Sequence, residues 1–190
     1  KYVFKLKRIP DAGDIPNDET LVTKQLANSS IVKFKARLVI QGFHQRKGID
    51  YDKTYAPVVK NDVLRLLLGI LAEFLTFDIE QLDVATAFLC GNLEQDVYMT
   101  LPFENDDGNV VKLNKSLYGL KQAPREWHRV IDGFLCNELH FIKTKSTDCL
   151  YIKRENEKVA IVALYVDDMT MVGDRETMNS VKKMLLKSSQ

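Results

Sequence analysis

The chain has 190 residues, 45% apolar and 28% charged, with nine Gly and five Pro; this profile excludes collagenous, low-complexity and wholly disordered chains and fits a globular domain that buries a core. Its net charge of +1 hides a segregation: residues 1–60 hold 12 Lys and Arg against 6 Asp and Glu, residues 61–110 hold 1 against 10, and residues 111–190 hold 14 against 10. A basic, acidic, basic order suits polyanions at the edges and cations at the centre, and equally a solvated surface with chance clustering. Three cysteines (Cys90, Cys136 and Cys149) without a C-x-x-C pair speak against a disulfide framework or structural zinc and for a reducing setting.

In chain order, Tyr2 to Arg8 is rich in β-formers and stops at the turn cluster from Pro10 to Asp14. From Ile31 to Ile40 basic and apolar residues alternate. With period two, Lys33, Lys35 and Arg37 share one strand face and Phe34, Leu38 and Ile40 roughly the other, which predicts a basic-faced hairpin. Asn61-Asp62 are expected to cap a core helix from Val63 to Leu75, an apolar run that contains Arg65, Gly69 and Glu73 and is too short for a membrane span. Thr76 to Val84 reads as a strand ending near Asp83, and Ala85 to Leu89 as a turn towards Gly91. Val97–Leu101 and Val110–Leu113 read as short strands around the turn Asn105-Asp106-Asp107-Gly108. Pro124 opens a helix on which Trp127, Val130 or Ile131, Phe134 and Leu135 keep helical spacing. The most apolar strand pair, Val159–Tyr165 and Met169–Val172, is interrupted by Asp167-Asp168. A last amphipathic helix carries Met178, Val181, Met184 and Leu185. Helices and strands mix without βαβ alternation, so the expected class is α+β.

Asp167-Asp168 is the informative pair, because adjacent carboxylates in an apolar hairpin are costly to desolvate without a cation. One reading is a two-residue turn with both side chains in water. The other adds Asp83, which also ends an apolar strand: three carboxylates at one sheet edge repel each other unless divalent cations neutralise them. Oxygen ligands without His or Cys select Mg²⁺ or Mn²⁺, and two such ions serve in-line phosphoryl transfer.

Five segments in order, Lys33-Phe34-Lys35-Ala36-Arg37-Leu38-Val39, Tyr55-Ala56-Pro57-Val58, Gln81 to Leu89, Leu117 to Arg125 and Leu164-Tyr165-Val166-Asp167-Asp168, resemble the successive motifs of copia-type retrotransposon reverse transcriptases. The resemblance implies fingers plus most of the palm of a right-handed polymerase, with an antiparallel palm sheet backed by helices. About 1–60 and 92–123 would be fingers-like, about 61–91 and 124–190 palm-like, and thumb and RNase H would be absent. Matched to the motifs, Asp83, Asp167 and Asp168 are the catalytic carboxylates, and with the Val84 carbonyl they are the ligands of two Mg²⁺ ions, Mn²⁺ being an alternative. Ala87 and Phe88 are nucleotide-binding, with Phe88 the steric gate against a ribose 2′-hydroxyl; Gly119 is the small residue that lets the base pair approach; Lys35 and Arg37 grip the triphosphate. Lys121, Gln122 and Arg125 are candidates for template or nucleotide contact, and Tyr165 supports the hairpin beside the primer end. The implied partners are an RNA or DNA template with its primer, dNTPs and the rest of a Pol polyprotein, including integrase and RNase H, in the cytoplasm or a virus-like particle. The implied activity is RNA-directed DNA polymerisation. Two other readings stay open: a decayed remnant that binds nucleic acid without polymerising, and a two-metal nuclease or phosphohydrolase. The segment from about Ile9 to Ser30 is longer and more acidic than the turn of the family, and the opening Lys-Tyr-Val without an initiator Met leads to the expectation of a fragment.

Overall fold

A computed structural model describes residues 2–8, 31–73, 77–84, 86–101 and 110–188. The alternating segments become β1 (Tyr2–Arg8) and β2 (Ile31–Leu38), an antiparallel pair whose register sets Lys35 opposite Lys5 and Lys33 opposite Lys7. The connecting segment 9–30, with the altered turn expected there, lies outside the described residues. A 3₁₀ turn (Gly42–His44) precedes helix α1 (Asn61–Glu73). Asn61 and Asp62 are the first residues of α1 rather than caps outside it, and the Lys60 carbonyl accepts from the Val63 and Leu64 amides. The helix is also not a core helix on all sides: Leu67 is buried, whereas Leu66 and Leu68 are exposed.

The centre of the fold is a five-stranded antiparallel sheet built from β3 (Phe77–Asp83), β6 (Ile142–Lys143), β7 (Leu150–Glu155), β8 (Lys158–Tyr165) and β9 (Asp168–Asp174), in the order β3-β9-β8-β7-β6. Strands β6 and β7 were not anticipated. Leu150-Tyr151-Ile152-Lys153-Arg154-Glu155 shows no apolar alternation because its buried face carries Tyr151 and Lys153, while Leu150 and Ile152 stand on the half-buried face. Between the halves of the sheet come a 3₁₀ turn (Ala87–Cys90), the short pair β4 (Tyr98–Thr100) and β5 (Val110–Lys112), and helix α2 (Ala123–Gly133), which continues as a π-turn to Glu138. The turn expected at residues 105–108 lies outside the described residues. Helix α3 (Arg175–Ser188) closes the chain. Mixed helices and antiparallel strands bear out the α+β expectation. No helix among the described residues is long and apolar enough to cross a membrane.

Register explains how the sheet is held. Leu82, Met169 and Leu164 stand opposite one another across β3, β9 and β8, followed by Met171, Val162 and Tyr151. Burying each such side chain contributes roughly 1.5–3 kcal/mol, enough to keep two Asp residues at the end of the same strands. Trp127, Ile131 and Leu135 from the α2 region and Met178 and Val181 from α3 complete this core. Arg175–Asp78 and Lys182–Glu80 pairs tie α3 to β3. A second apolar cluster, Val97, Leu120 and Ala123, sits apart with Ile40, Leu93, Leu113 and Leu117 around it. Phe88 packs against both clusters.

Candidate active site

Strand β8 ends at Tyr165 and β9 begins at Asp168, so the intervening turn is Val166-Asp167 alone. Val166 has φ 58°. A left-handed conformation at a β-branched residue costs roughly 1–3 kcal/mol and persists only where neighbours hold it. Two contacts do so. The indole of Trp127 donates through Nε1 to the Val166 carbonyl at 2.8 Å, and the Val84 amide donates to the Asp167 carbonyl at 3.2 Å. The second contact docks the end of β3 on the hairpin tip.

In consequence Asp83 stands directly across the ladder from Asp168, with Asp167 in the turn beside them. Directly opposed residues project from one face of a sheet, where like charges are destabilising by up to about 1 kcal/mol. Gln81 Nε2 reaches Asp168 Oδ1 at 3.5 Å. Among the described residues no Lys, Arg or His forms an ion pair with Asp83, Asp167 or Asp168. Asp83 is exposed and the other two are half-buried. Three unneutralised carboxylates of hard oxygen donors suit a divalent cation in chemical type. Their side chains are not drawn into a closed cage: among the described residues no three Asp, Glu, His or Cys side chains form one.

Beyond Asp83 the chain passes Thr86 at φ 57° into the 3₁₀ turn, with the Ala87 amide on the Val84 carbonyl at 3.3 Å. Phe88 then lies 4.9 Å, centroid to centroid, from Tyr118. The Arg37 guanidinium carbon is 5.7 Å from the Tyr118 ring centroid. Burial first, then the charge of Asp167 and less so of Asp83, push the Tyr118 phenol above its ordinary pKa, while Arg37 pulls the other way. Tyr118 is thus the link between Arg37, Phe88 and the carboxylates. Sequence reasoning assigned it nothing; the available signal was an aromatic residue directly before Gly119 inside a recognised motif.

Several expected site residues stand differently. Gly119 has φ 96°, and a Cβ there would lie 2.2 Å from the Ile40 carbonyl oxygen. Close contact with this chain's own backbone therefore already demands glycine, without appeal to a base pair. Gln122 is buried, and its amide is spent: Oε1 accepts from Gln45 Nε2 and Nε2 donates to the Asp50 carbonyl, both at 2.9 Å. It supports the segment 45–50 and is not open to a template. Lys121 is exposed but turns back on the same segment, its Nζ 3.2 Å from the Gln45 carbonyl and 5.0 Å from the Tyr51 ring centroid. Arg125 pairs with Glu94 and with the buried Glu126. Ala87 is fully buried, so its side chain lines no open pocket. Tyr165, half exposed, stands opposite Asp168 at the tip. Lys35 belongs to β2, and its side chain lies outside what is described. His44, His128 and His140 gather no metal cage among the described residues, and the three cysteines are free. Trp127 is core, as its helical spacing indicates.

A family model described as reverse transcriptase (RNA-dependent DNA polymerase) matches residues 2–190. The chain belongs to that family. It is 44% identical, over 99% of its own length, to the retrovirus-related Pol polyprotein from transposon TNT 1-94 of Nicotiana tabacum, of which it covers 13%. It is 38% identical over 82% of its length to the Pol polyprotein from transposon RE1 of Arabidopsis thaliana, covering 11% of it, and 28% identical over 80% to the Ty1-ER2 Gag-Pol polyprotein of Saccharomyces cerevisiae, covering 8%. These matches bear out the resemblance to copia-type reverse transcriptases. The chain spans about an eighth or less of the polyproteins named here. No solved structure matches it.

Proposed function

We propose that this reverse transcriptase domain carries the nucleotidyl-transfer site of its parent polyprotein and adds dNTPs to a primer 3′-hydroxyl on an RNA or DNA template. The observation that carries the reading is the register of Asp83 against Asp168 with Asp167 in the turn between the strands, the one place among the described residues where a strained hairpin holds unpaired carboxylates side by side. The five-stranded sheet with its helices acts as a palm (about 61–91 and 124–190), and the strand pairs with the second apolar cluster act as fingers (about 1–60 and 92–123), a division supported by the two separate cores.

Arg37, whose guanidinium lies over the Tyr118 ring, and Lys35, two residues before it on β2, would grip the triphosphate. Phe88, backed by the Tyr118 ring at 4.9 Å, would crowd the 2′-hydroxyl of an incoming nucleotide. Tyr165 at the tip would support the primer end. Asp83, Asp167 and Asp168, with the Val84 carbonyl, would hold two Mg²⁺ ions, which when bound supply charge neutralisation at the phosphates and a more acidic primer hydroxyl.

Primer extension on an RNA template tests this in the polypeptide that carries the domain. Asp83→Asn and Asp167→Asn should each lower Mg²⁺-dependent extension at least about a hundredfold. Asp83→Asn should leave the urea midpoint unchanged or raise it, because it removes a like-charge cross-strand pair. Near-normal extension by either variant sinks the assignment.

A further inference from the structure

Glu126 lies in the first turn of α2 and is only 3% exposed, a rare place for a carboxylate. Four charges close a ring there. Arg125 Nη1 is 2.6 Å from Glu126 Oε1 and 3.4 Å from Glu94 Oε2, while Arg129 Nη1 is 3.1 Å from Glu126 Oε2 and also pairs with Glu94 Oε1. Each carboxylate thus meets both guanidiniums, the kind of arrangement that offsets the desolvation of a buried charge. We propose that Glu126 is a positioning residue for sugar discrimination: through this ring it seats residues 91–94 on α2 and so sets where Phe88 and Tyr118 stand relative to the hairpin of Asp167 and Asp168. The role of Phe88 in this statement rests on the polymerase reading above.

The seated segment is held at both ends. At Gly91 the backbone lies directly on α2, where a Cβ would be 2.9 Å from Glu126 Cβ and 3.2 Å from the Trp127 nitrogen. At Glu94 the two arginines take hold. Backbone contacts carry this seat to the rings. The Gly91 amide donates to the Phe88 carbonyl at 3.4 Å, closing the turn that bears Phe88. The Gly91 carbonyl accepts from the Ser116 amide at 2.8 Å, with Asn92 bridged to Lys115 beside it. Phe88 precedes this junction and Tyr118 follows it closely in the chain, and their rings meet at 4.9 Å.

The same helix reaches the carboxylates from its next residue, because Trp127 donates to the Val166 carbonyl in the hairpin turn. Neighbouring residues of one helix therefore hold the two sides of the site, Glu126 the ring pair and Trp127 the tip with Asp167. Phe88 also packs against both apolar clusters, but such contact is non-directional. The ion ring adds a directional tie, where a displacement of about 1 Å is worth on the order of a hundredfold in rate.

Single-nucleotide extension by the polypeptide that carries the domain reads the effect as the ratio of kcat/KM for a dNTP to that for the matching rNTP. Glu126→Gln keeps the volume and an acceptor but removes the charge; it should lower this ratio roughly 5- to 50-fold while kcat for dNTP stays within about threefold. Glu94→Gln should lower the ratio in the same direction, and with its side chain 45% exposed it keeps the test should Glu126→Gln fail to fold. In a Phe88→Val background neither change should move the ratio further. A mere loss of folded protein would reduce both rates alike and leave the ratio where it was. Hydrogen exchange without substrate gives a second readout: in both Glu variants the Ser116 amide should exchange at least about tenfold faster, while the paired amides of β8 and β9 keep their rates. An unchanged ratio in both Glu variants, where Phe88→Val does shift it, overturns the proposal. So does a further drop when Glu126→Gln is added to Phe88→Val, or Ser116 exchange that neither Glu variant alters. A ratio that Phe88→Val leaves unmoved, or a parent polypeptide that extends no primer, sinks the polymerase reading and the sugar role with it, whereas accelerated Ser116 exchange would still uphold the seating of residues 91–94 on α2.

Discussion

Replacing the sole tryptophan tests how the hairpin that bears Asp167 and Asp168 is held. The Trp127 indole is 4% exposed and donates at 2.8 Å to the carbonyl of Val166, the residue that carries the positive φ. Trp127→Phe removes that donor and leaves a partly buried carbonyl without it, a loss of roughly 1–3 kcal/mol. The smaller ring leaves a void that costs on the order of 1 kcal/mol more. The sum is about 2–4 kcal/mol, which for a chain of this length lowers Tm by roughly 4–16 °C. Urea denaturation followed by far-UV circular dichroism measures the loss. In primer extension kcat should fall more than KM for dNTP rises, because the freed peptide carries Asp167 and not the nucleotide-binding residues. Adding Val166→Gly should recover about 1 kcal/mol in this background, since glycine adopts φ 58° without strain. A destabilisation under about 0.5 kcal/mol with unchanged kcat would refute the claim that the indole holds the turn.

Two further outcomes follow from the same geometry. Tyr118→Ala should raise KM for dNTP about tenfold or more and relax discrimination against ribonucleotides, since both Arg37 and Phe88 lose the ring they pack on, whereas Tyr118→Phe should retain most of the discrimination; steady-state extension with dNTP and rNTP pairs checks this. The second concerns acid stability. Burial raises the Asp132 carboxyl, but hydrogen bonds from Lys143 at 2.8 Å and Tyr151 at 2.7 Å outweigh it, so its pKa in the folded chain is lowered from 3.8. A lowered carboxylate contributes stability that is present above its unfolded pKa and lost as pH falls below it. Asp132→Asn should therefore weaken the protein at neutral pH and flatten its loss of stability below about pH 4, read from urea midpoints against pH.

Much of the site was legible along the chain because its parts are local. Alternation marked β2, the apolar runs marked β3, β8 and β9, and the interruption by Asp167-Asp168 marked the hairpin, since adjacent carboxylates in an apolar pair are expensive unless used. Composition and spacing alone also specified an α+β fold, the helix opened by Pro124 and the core place of Trp127. The strand β7 escaped because its buried face carries a lysine, Lys153, beside Tyr151 while Leu150 and Ile152 stand on the half-buried face, so its apolar residues do not mark one side.

What only the tertiary structure decided lies in contacts between segments distant in sequence. Gln122 and Lys121 look like open polar side chains in the motif, yet partners more than 70 residues away engage them. Gly119 owes its lack of a side chain to Ile40, and Tyr118 gains its place from Arg37, Phe88 and Asp167 together. A sequence records which groups each residue offers and the period at which they recur. Which of those groups are consumed inside the molecule, and which are left facing a ligand, depends on the register and packing of the whole chain.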